Sequence, residues 1–201
     1  MFDADGVIQR PPVDLANQLA FTLGIAAEQA DAFILDLFAA EAEALTGEKD
    51  ILDCAELVLR RWSIDGGLEH FDRLWHQIDV YSDVHDVVGE LRAAGIYCAI
   101  ASNQQARRAR AMSVDLDYRQ KFDAEFYSCD LRLRKPMQAY FQSIIDRSGV
   151  EPSRCLFVDD RTGNLEAARA IGIHTLRFVA DDHPKKGEAL NGLIRTLRRS
   201  P

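Results

Sequence analysis

The sequence predicts an α/β protein: a parallel β-sheet with helices on both faces, carrying a small helical bundle inserted near its start. Three observations predict it. From Asp83 onward, short apolar runs alternate with stripes of helical period. From Val13 to about Ile78 the period is helical throughout. Four polar signals then stand directly after strand-like segments, where open α/β sheets place their ligands.

Size and charge set the frame. The 201 residues, 47% hydrophobic and 28% charged, suit one domain or one domain with a smaller insertion. No apolar run approaches the roughly 20 residues that a membrane-spanning helix needs. The start, Met1-Phe2-Asp3-Ala4-Asp5, lacks the features of a secretory signal. With 24 Lys+Arg against 32 Asp+Glu, the net charge of −8 repels nucleic acid overall. The arginine groups Arg107, Arg108 and Arg110, and Arg195, Arg198 and Arg199, fall in helical patterns and read as solvated faces; Arg107 and Arg108, just after Ser102-Asn103, could reach either a substrate or solvent, and solvent is preferred. Cys54, Cys98, Cys129 and Cys155 form no CxxC pair, and Cys98 and Cys155 read as reduced core residues. The expectation is a cytoplasmic protein, monomer or homodimer, without nucleic-acid or membrane partners.

In the first helical segment, Phe33, Leu37 and Phe38 share one helix that should stop at Thr46-Gly47. Ile51, Ala55, Val58, Leu59 and Trp62 form a second stripe, and Leu68, Phe71, Leu74, Trp75 and Ile78 a third. About four helices are expected. Beyond them, a helix with Val87, Val88 and Leu91 ends at Gly95, and Ile96–Ala101 is a buried strand. A helix over roughly 104–116 precedes a weaker strand at 124–128. Met137, Tyr140, Phe141, Ile144 and Ile145 mark a helix ending near Gly149, and Cys155–Val158 is a strand. A helix through Leu165 and Ala168 runs to Gly172, and Ile173–Val179 is the last strand. Leu190, Leu193, Ile194 and Leu197 line a final helix. Neither an internal repeat nor a low-complexity tract interrupts this order.

The four polar signals are Asp3-Ala4-Asp5-Gly6, Ser102-Asn103, Lys135-Pro136 and Asp159-Asp160. Each alone has a structural explanation: a turn or cap, an N-cap, a loop, a solvated strand end. In this order, each at the end of a strand, they favour one site. Carboxylates converging there would repel one another without a cation, and all-oxygen ligation suits Mg²⁺. Such an ion lets an Asp carboxylate approach a phosphate. Lys135 and the Ser102 hydroxyl supply the charge and hydrogen bond that hold a phosphoryl group, and Gly6 lets the backbone come close to it.

These residues give the chain its resemblance to the haloacid dehalogenase-like hydrolase superfamily. The matching segments are Phe2-Asp3-Ala4-Asp5-Gly6-Val7, Ile100-Ala101-Ser102-Asn103, Arg134-Lys135-Pro136, and Phe157-Val158-Asp159-Asp160 with Asn164. The run 157–169 is similar to the glucose-1-phosphatase-like and epoxide-hydrolase N-domain-like phosphatases. The resemblance implies a Rossmann-like core of residues 1–12 and 82–201 and a helical cap domain of residues 13–81. It implies Mg²⁺-dependent hydrolysis of a small phosphate monoester, a sugar phosphate or similar metabolite. Asp3 would be the nucleophile, and Asp5 would protonate the leaving alcohol. Asp3, the Asp5 carbonyl, Asp159 and Asp160 would hold the metal, with the direct ligand among the last two left open. Ser102 and Lys135 would bind phosphate, with Asn103 beside the reacting centre. Dehalogenases of the superfamily lack an acid at the Asp5 position, because halide leaves without a proton.

Three other expectations belong to this reading. A phosphomutase returning the phosphoryl group to a sugar, a phospho-receiver domain and a non-catalytic relic share parts of the pattern. The late Asp159-Asp160 pair and the helical insert speak against the receiver. Only Met1 and Phe2 precede Asp3, about 7 Å of strand, so a stunted first strand or an upstream start is expected. The α-amino group should then lie near Asp3 and favour its ionised form. Gly47-Glu48-Lys49-Asp50 is a solvated turn or a specificity contact. His70, His76, His85, His174 and His183 show no metal-ligand spacing.

Overall fold

The protein is described from a computed structural model over residues 1–199, with side chains to residue 196. Leu197, Arg198 and Arg199, expected on the last helix, lie outside the described side chains. The chain begins inside the sheet. It leaves through a turn at Gly6 (φ +88°) into β1 (Gln9–Arg10). Four helices follow: α1 (Leu15–Thr22), α2 (Ala30–Glu41), α3 (Ile51–Arg61) and α4 (Leu68–Trp75). The chain then returns along β2 (Asp79–Val80), antiparallel to β1 with Gln9 opposite Val80. The two connections to the helical insert therefore run side by side.

The remainder is the alternating half. Its elements are α5 (Ser82–Ala93), β3 (Ala99–Ser102), α6 (Ala106–Arg110), α7 (Tyr118–Lys121), β4 (Ala124–Tyr127) and α8 (Ser128–Leu131). Next come α9 (Gln138–Ser148), β5 (Leu156–Asp159), α10 (Thr162–Arg169), β6 (His174–Arg177) and α11 (Lys186–Arg199). β3 pairs in parallel with β4, and β5 with β6. Phe2 joins the pairs by parallel bridges to Ile100 and Val158. Phe2 N donates to Ala99 O at 2.9 Å, Ala101 N to Phe2 O at 2.8 Å, and Asp3 N to Val158 O at 2.8 Å. The first strand is short, yet it is the centre of the sheet.

Alternation along the strands builds two cores. Phe2, Ile100 and Val158 pack with residues of α5, α7 and α11, including Val84, Tyr118 and Leu190. Ala101 and Phe157 face the other way, onto Tyr140, Phe141 and Ile144 of α9 and Leu165 of α10. The helical insert has a third core of its own, in which Leu19, Phe33, Leu37, Ala55, Val58 and Phe71 are buried. Asp50 starts α3 by accepting a hydrogen bond from Leu52 N at 2.9 Å.

The structure corrects several boundaries. The strand expected from Ile96 is regular only from Ala99, and the last strand is four residues, His174–Arg177. The helix expected over 104–116 is α6 followed by a π-helical turn at Ala111–Asp115. α2 stops at Glu41 rather than at Thr46-Gly47; turns fill 42–47, and at Gly47 (φ +71°) a Cβ would lie 2.5 Å from Cys129 O. Phe38, expected in the bundle core, is 49% exposed, and Ile78 packs against the sheet core instead of the bundle. Phe38 lies off the buried Phe33/Leu37 face of α2 and tilts against Trp75, with centroids 5.2 Å apart.

Candidate active site

The carboxyl ends of the central strands deliver the predicted residues to one place. Asp3 follows Phe2, Ser102 ends β3, and Asp159 ends β5. Lys135 lies on the connection between α8 and α9 and is buried. Its Nζ lies 2.7 Å from Asp3 Oδ1 and 2.8 Å from Asp159 Oδ2. It also sits 5.1 Å from the centroid of the Phe157 ring. Burying an ammonium is unfavourable alone, and two carboxylates compensate it here. Asn103 holds the lysine by its backbone: Nδ2 donates to Lys135 O (3.0 Å) and Oδ1 accepts from Lys135 N (2.8 Å). Its amide thus places Lys135, and the residue lines the same cavity as Asp3.

The paired acids separate into two kinds. Asp159 is saturated with donors: Lys135 Nζ, Arg161 N (2.7 Å) and Asn164 Nδ2 (3.1 and 3.0 Å). Asp160 Oδ1 is buried and has no hydrogen-bond partner. Burial, and then the Asp3 charge, hold the Asp160 carboxyl above its ordinary pKa. Asp3, Asp159 and Asp160 offer oxygens within 4.8 Å of one another. A cation binding there would meet an unsatisfied oxygen from Asp160 and a committed carboxylate in Asp159. Gly6 belongs to the same corner. A Cβ at Gly6 would stand 2.8 Å from Asp160 Oδ2, so the glycine makes room for that carboxylate.

Asp3 is pushed up to about 6, chiefly by burial; Lys135 works against this, and Asp159 adds to it. Its Oδ1 also accepts from Ala4 N at 2.7 Å. The α-amino group lies elsewhere: Met1 N donates to Leu156 O at 2.7 Å and is itself held below its ordinary pKa by burial. The expectation that it would favour ionised Asp3 is thus overturned, because the extended Met1-Phe2 segment points the two groups to opposite ends of the sheet.

Asp5 accepts from three side chains. Oδ1 accepts from Arg108 Nη2 (2.8 Å) and Gln9 Nε2 (3.1 Å), and Oδ2 from Gln104 Nε2 (2.8 Å). Burial alone would raise its pKa, but the Arg108 charge with these hydrogen bonds brings it below the ordinary value. Gln104 Nε2 also reaches Ser102 Oγ at 3.2 Å. Arg108 was expected in solvent. It is instead buried and also donates to Trp75 O (2.9 Å) and Gln77 O (3.4 Å), where the insert rejoins the sheet. Arg107 likewise pairs with Asp50 (3.0 Å) and Asp72 (3.8 Å) of the insert.

Asp3, Asp5, Gly6, Ser102, Asn103, Lys135 and Asp160 all line one cavity of about 800 Å³. Its other wall comes from the insert: Phe38, Glu41, Leu45 and Trp75. A second cavity, of about 490 Å³, lies where the strands begin, is lined by Phe2, Ile96, Ile144 and Leu156, and contains no carboxylate. Sequence reasoning missed Arg108, Gln104, Gln9 and Glu41 as members of the site. Only Asn164 carried a signal, through its place in the Asp159-Asp160 segment.

The model of the haloacid dehalogenase-like hydrolase family matches residues 1–172. The chain belongs to that family. Among curated relatives, it is 33% identical over 109 residues to acyl-CoA dehydrogenase family member 10 of Mus musculus, covering 52% of this chain and 10% of that protein. It is 27% identical over 112 residues to (S)-2-haloacid dehalogenase 1 of Pseudomonas sp. (strain CBS-3), covering 56% and 49%. With phosphoglycolate phosphatase of Escherichia coli (strain K12) it shares 25% over 107 residues, covering 51% and 42%. The chain thus matches half or less of these relatives' length. The fold is shared across 96% of both chains with a haloacid dehalogenase family enzyme of Bacteroides thetaiotaomicron, at a TM-score of 0.78 and 17% identity. That enzyme has also been crystallised with magnesium and inorganic phosphate. This haloacid dehalogenase-like hydrolase therefore has both dehalogenases and phosphatases among its relatives. Among its described residues, no helix is long and apolar enough to cross a membrane.

Proposed function

We propose that the protein hydrolyses a small phosphate monoester, such as a sugar phosphate, with Mg²⁺ as cofactor and a phosphorylated Asp3 as intermediate. The observation that carries this reading is a second carboxylate, Asp5, on the same cavity as Asp3. An alkoxide leaving group needs a proton, whereas halide does not. Asp3, Asp160 and the Asp5 carbonyl would hold Mg²⁺; the unpartnered Asp160 oxygen fits that role better than the saturated Asp159. When bound, the ion neutralises phosphate charge that would otherwise repel Asp3.

The residues of the chain divide the work. An Asp3 oxygen attacks phosphorus as the bond to the leaving oxygen breaks, and Asp5 supplies the proton to that oxygen. Water then attacks the acyl phosphate, Asp5 takes its proton, and Asp3 is released. Arg108, Gln104 and Gln9 favour the ionised Asp5 that accepts this proton. The proton given in the first half must be taken up before or with substrate binding. Lys135 and Ser102 hold phosphoryl oxygens, Asn103 fixes Lys135, and residues 13–81 act as the cap that excludes water.

The test is phosphate release from p-nitrophenyl phosphate and a panel of sugar phosphates, with and without Mg²⁺, against Asp3→Asn. Metal-dependent release absent from the variant is expected. No release above the variant, or halide release from 2-haloacids in its place, would refute the reading. Adding a bisphosphorylated sugar and looking for isomerisation separates hydrolysis from phosphomutase activity.

A further inference from the structure

The wall opposite the acids is apolar and aromatic with one fixed carboxylate. Glu41, the last residue of α2, lines the cavity beside Phe38, Leu45 and Trp75. Trp75 Nε1 donates to Glu41 Oε1 at 2.8 Å. Trp75 is itself held by stacking on Phe71 at 5.1 Å. One oxygen is thus committed, and the other is the acceptor that Glu41 offers to the cavity. The charges facing it are Arg108 and Asp5. Arg108 is already spent on Asp5 and on the Trp75 carbonyl. Arg10, on the same lining, is paired with Asp181 (3.2 Å) and Asp79 (3.6 Å). The end of the cavity beside Asp5 therefore offers hydrogen-bond acceptors and a net negative charge, next to exposed aromatic surface.

We propose that Glu41 selects the leaving group: a donor-bearing one, hydroxylated or cationic, is accepted, and one carrying a carboxylate is rejected. The inference rests on the phosphatase reading, in which Asp5 marks the leaving-group side. A hydroxyl or ammonium hydrogen finds a charged acceptor, while its carbon skeleton covers Phe38 and Trp75. A carboxylate placed there would meet Glu41 and Asp5, whose facing cation, Arg108, is already bound to Asp5, while Arg161 on the same lining faces Asp160. Phosphoglycolate, the substrate in the name of one relative, is such an ester.

The experiment compares kcat/KM for glucose 6-phosphate, phosphoethanolamine and phosphoglycolate in the full chain with Mg²⁺, and repeats it for Glu41→Gln and Glu41→Ala. Gln keeps an oxygen for Trp75 Nε1, so that variant preserves the wall. One donor-bearing ester at least should exceed phosphoglycolate by tenfold or more, and Glu41→Gln should compress that ratio by about 10- to 100-fold. The hydroxyl and ammonium arms distinguish the two donors, since the ammonium should lose more. Equal use of phosphoglycolate by the unaltered protein, or a ratio unchanged within about twofold in both variants, would overturn the inference while leaving the phosphatase intact. No phosphate from any ester, p-nitrophenyl phosphate included, would remove both.

Discussion

His85 gives the sharpest stability prediction. It lies on α5 with its ring 5.0 Å from that of Tyr118 and 5.7 Å from that of Phe122. Burial, then the Lys121 charge, push its pKa down to about 4. The folded state thus binds a proton less readily than the unfolded chain, whose histidine titrates near about 6.5. Stability from the neutral ring is full above about pH 6.5 and is lost as pH falls toward about 4. The limiting loss is about 3 kcal/mol, and at pH 5 it is about 2 kcal/mol. Replacing the ring with Phe or Leu removes the titration. Urea unfolding of the protein and of His85→Phe at pH 8 and pH 5 should show the variant's relative stability rising by about 2 kcal/mol on acidification. Carboxylates titrate in both proteins and cancel in the difference. A difference constant to within about 0.5 kcal/mol in both His85→Phe and His85→Leu would refute the reasoning.

Four further outcomes follow from the site. Asp160→Asn should weaken Mg²⁺ activation of phosphate release by tenfold or more. Asp159→Asn, read by urea unfolding, should chiefly cost stability, about 2 kcal/mol, because it leaves Lys135 short of a charge partner. Lys135→Met leaves two buried carboxylates facing each other; a loss of about 3 kcal/mol in urea is expected, smaller at pH 4, where Asp3 is protonated. Gly6→Ala puts a Cβ against Asp160 and a side chain at φ +88°. It should lower the melting temperature and cut turnover at least tenfold, more than its cost of about 1–2 kcal/mol in stability would explain.

The sequence reading reached the sheet, the helical insert and the acidic corner because each has a local signature. Ser102 and Asp159 follow apolar runs that read as buried strands, Asp3 follows only Met1-Phe2 but opens the Asp3-Ala4-Asp5-Gly6 signal, and Ile51–Trp62 has a clear helical period. Arg108 shows where such reading stops. Three arginines within five residues look solvated, yet one is drawn inward by Asp5 and by the carbonyls of Trp75 and Gln77. Those partners are remote in sequence, and nothing in the local pattern names them. The reciprocal bonds of Asn103 to Lys135 were equally illegible, because they exist only once two separate loops meet. The same limit hid Glu41, an ordinary helix-end acid until Trp75 folds against it.

The bond from Trp75 to Glu41 gives the molecule a built-in optical gauge. The protein has two tryptophans. Trp62 is tied to Asp36 within the helical insert at 2.9 Å, away from the cavity lining. The indole of Trp75 stands in that lining, its N–H bound to an ionisable group. In a Trp62→Phe protein the remaining emission would come from Trp75 alone, so occupancy could be titrated without a label, a chromogenic substrate or turnover.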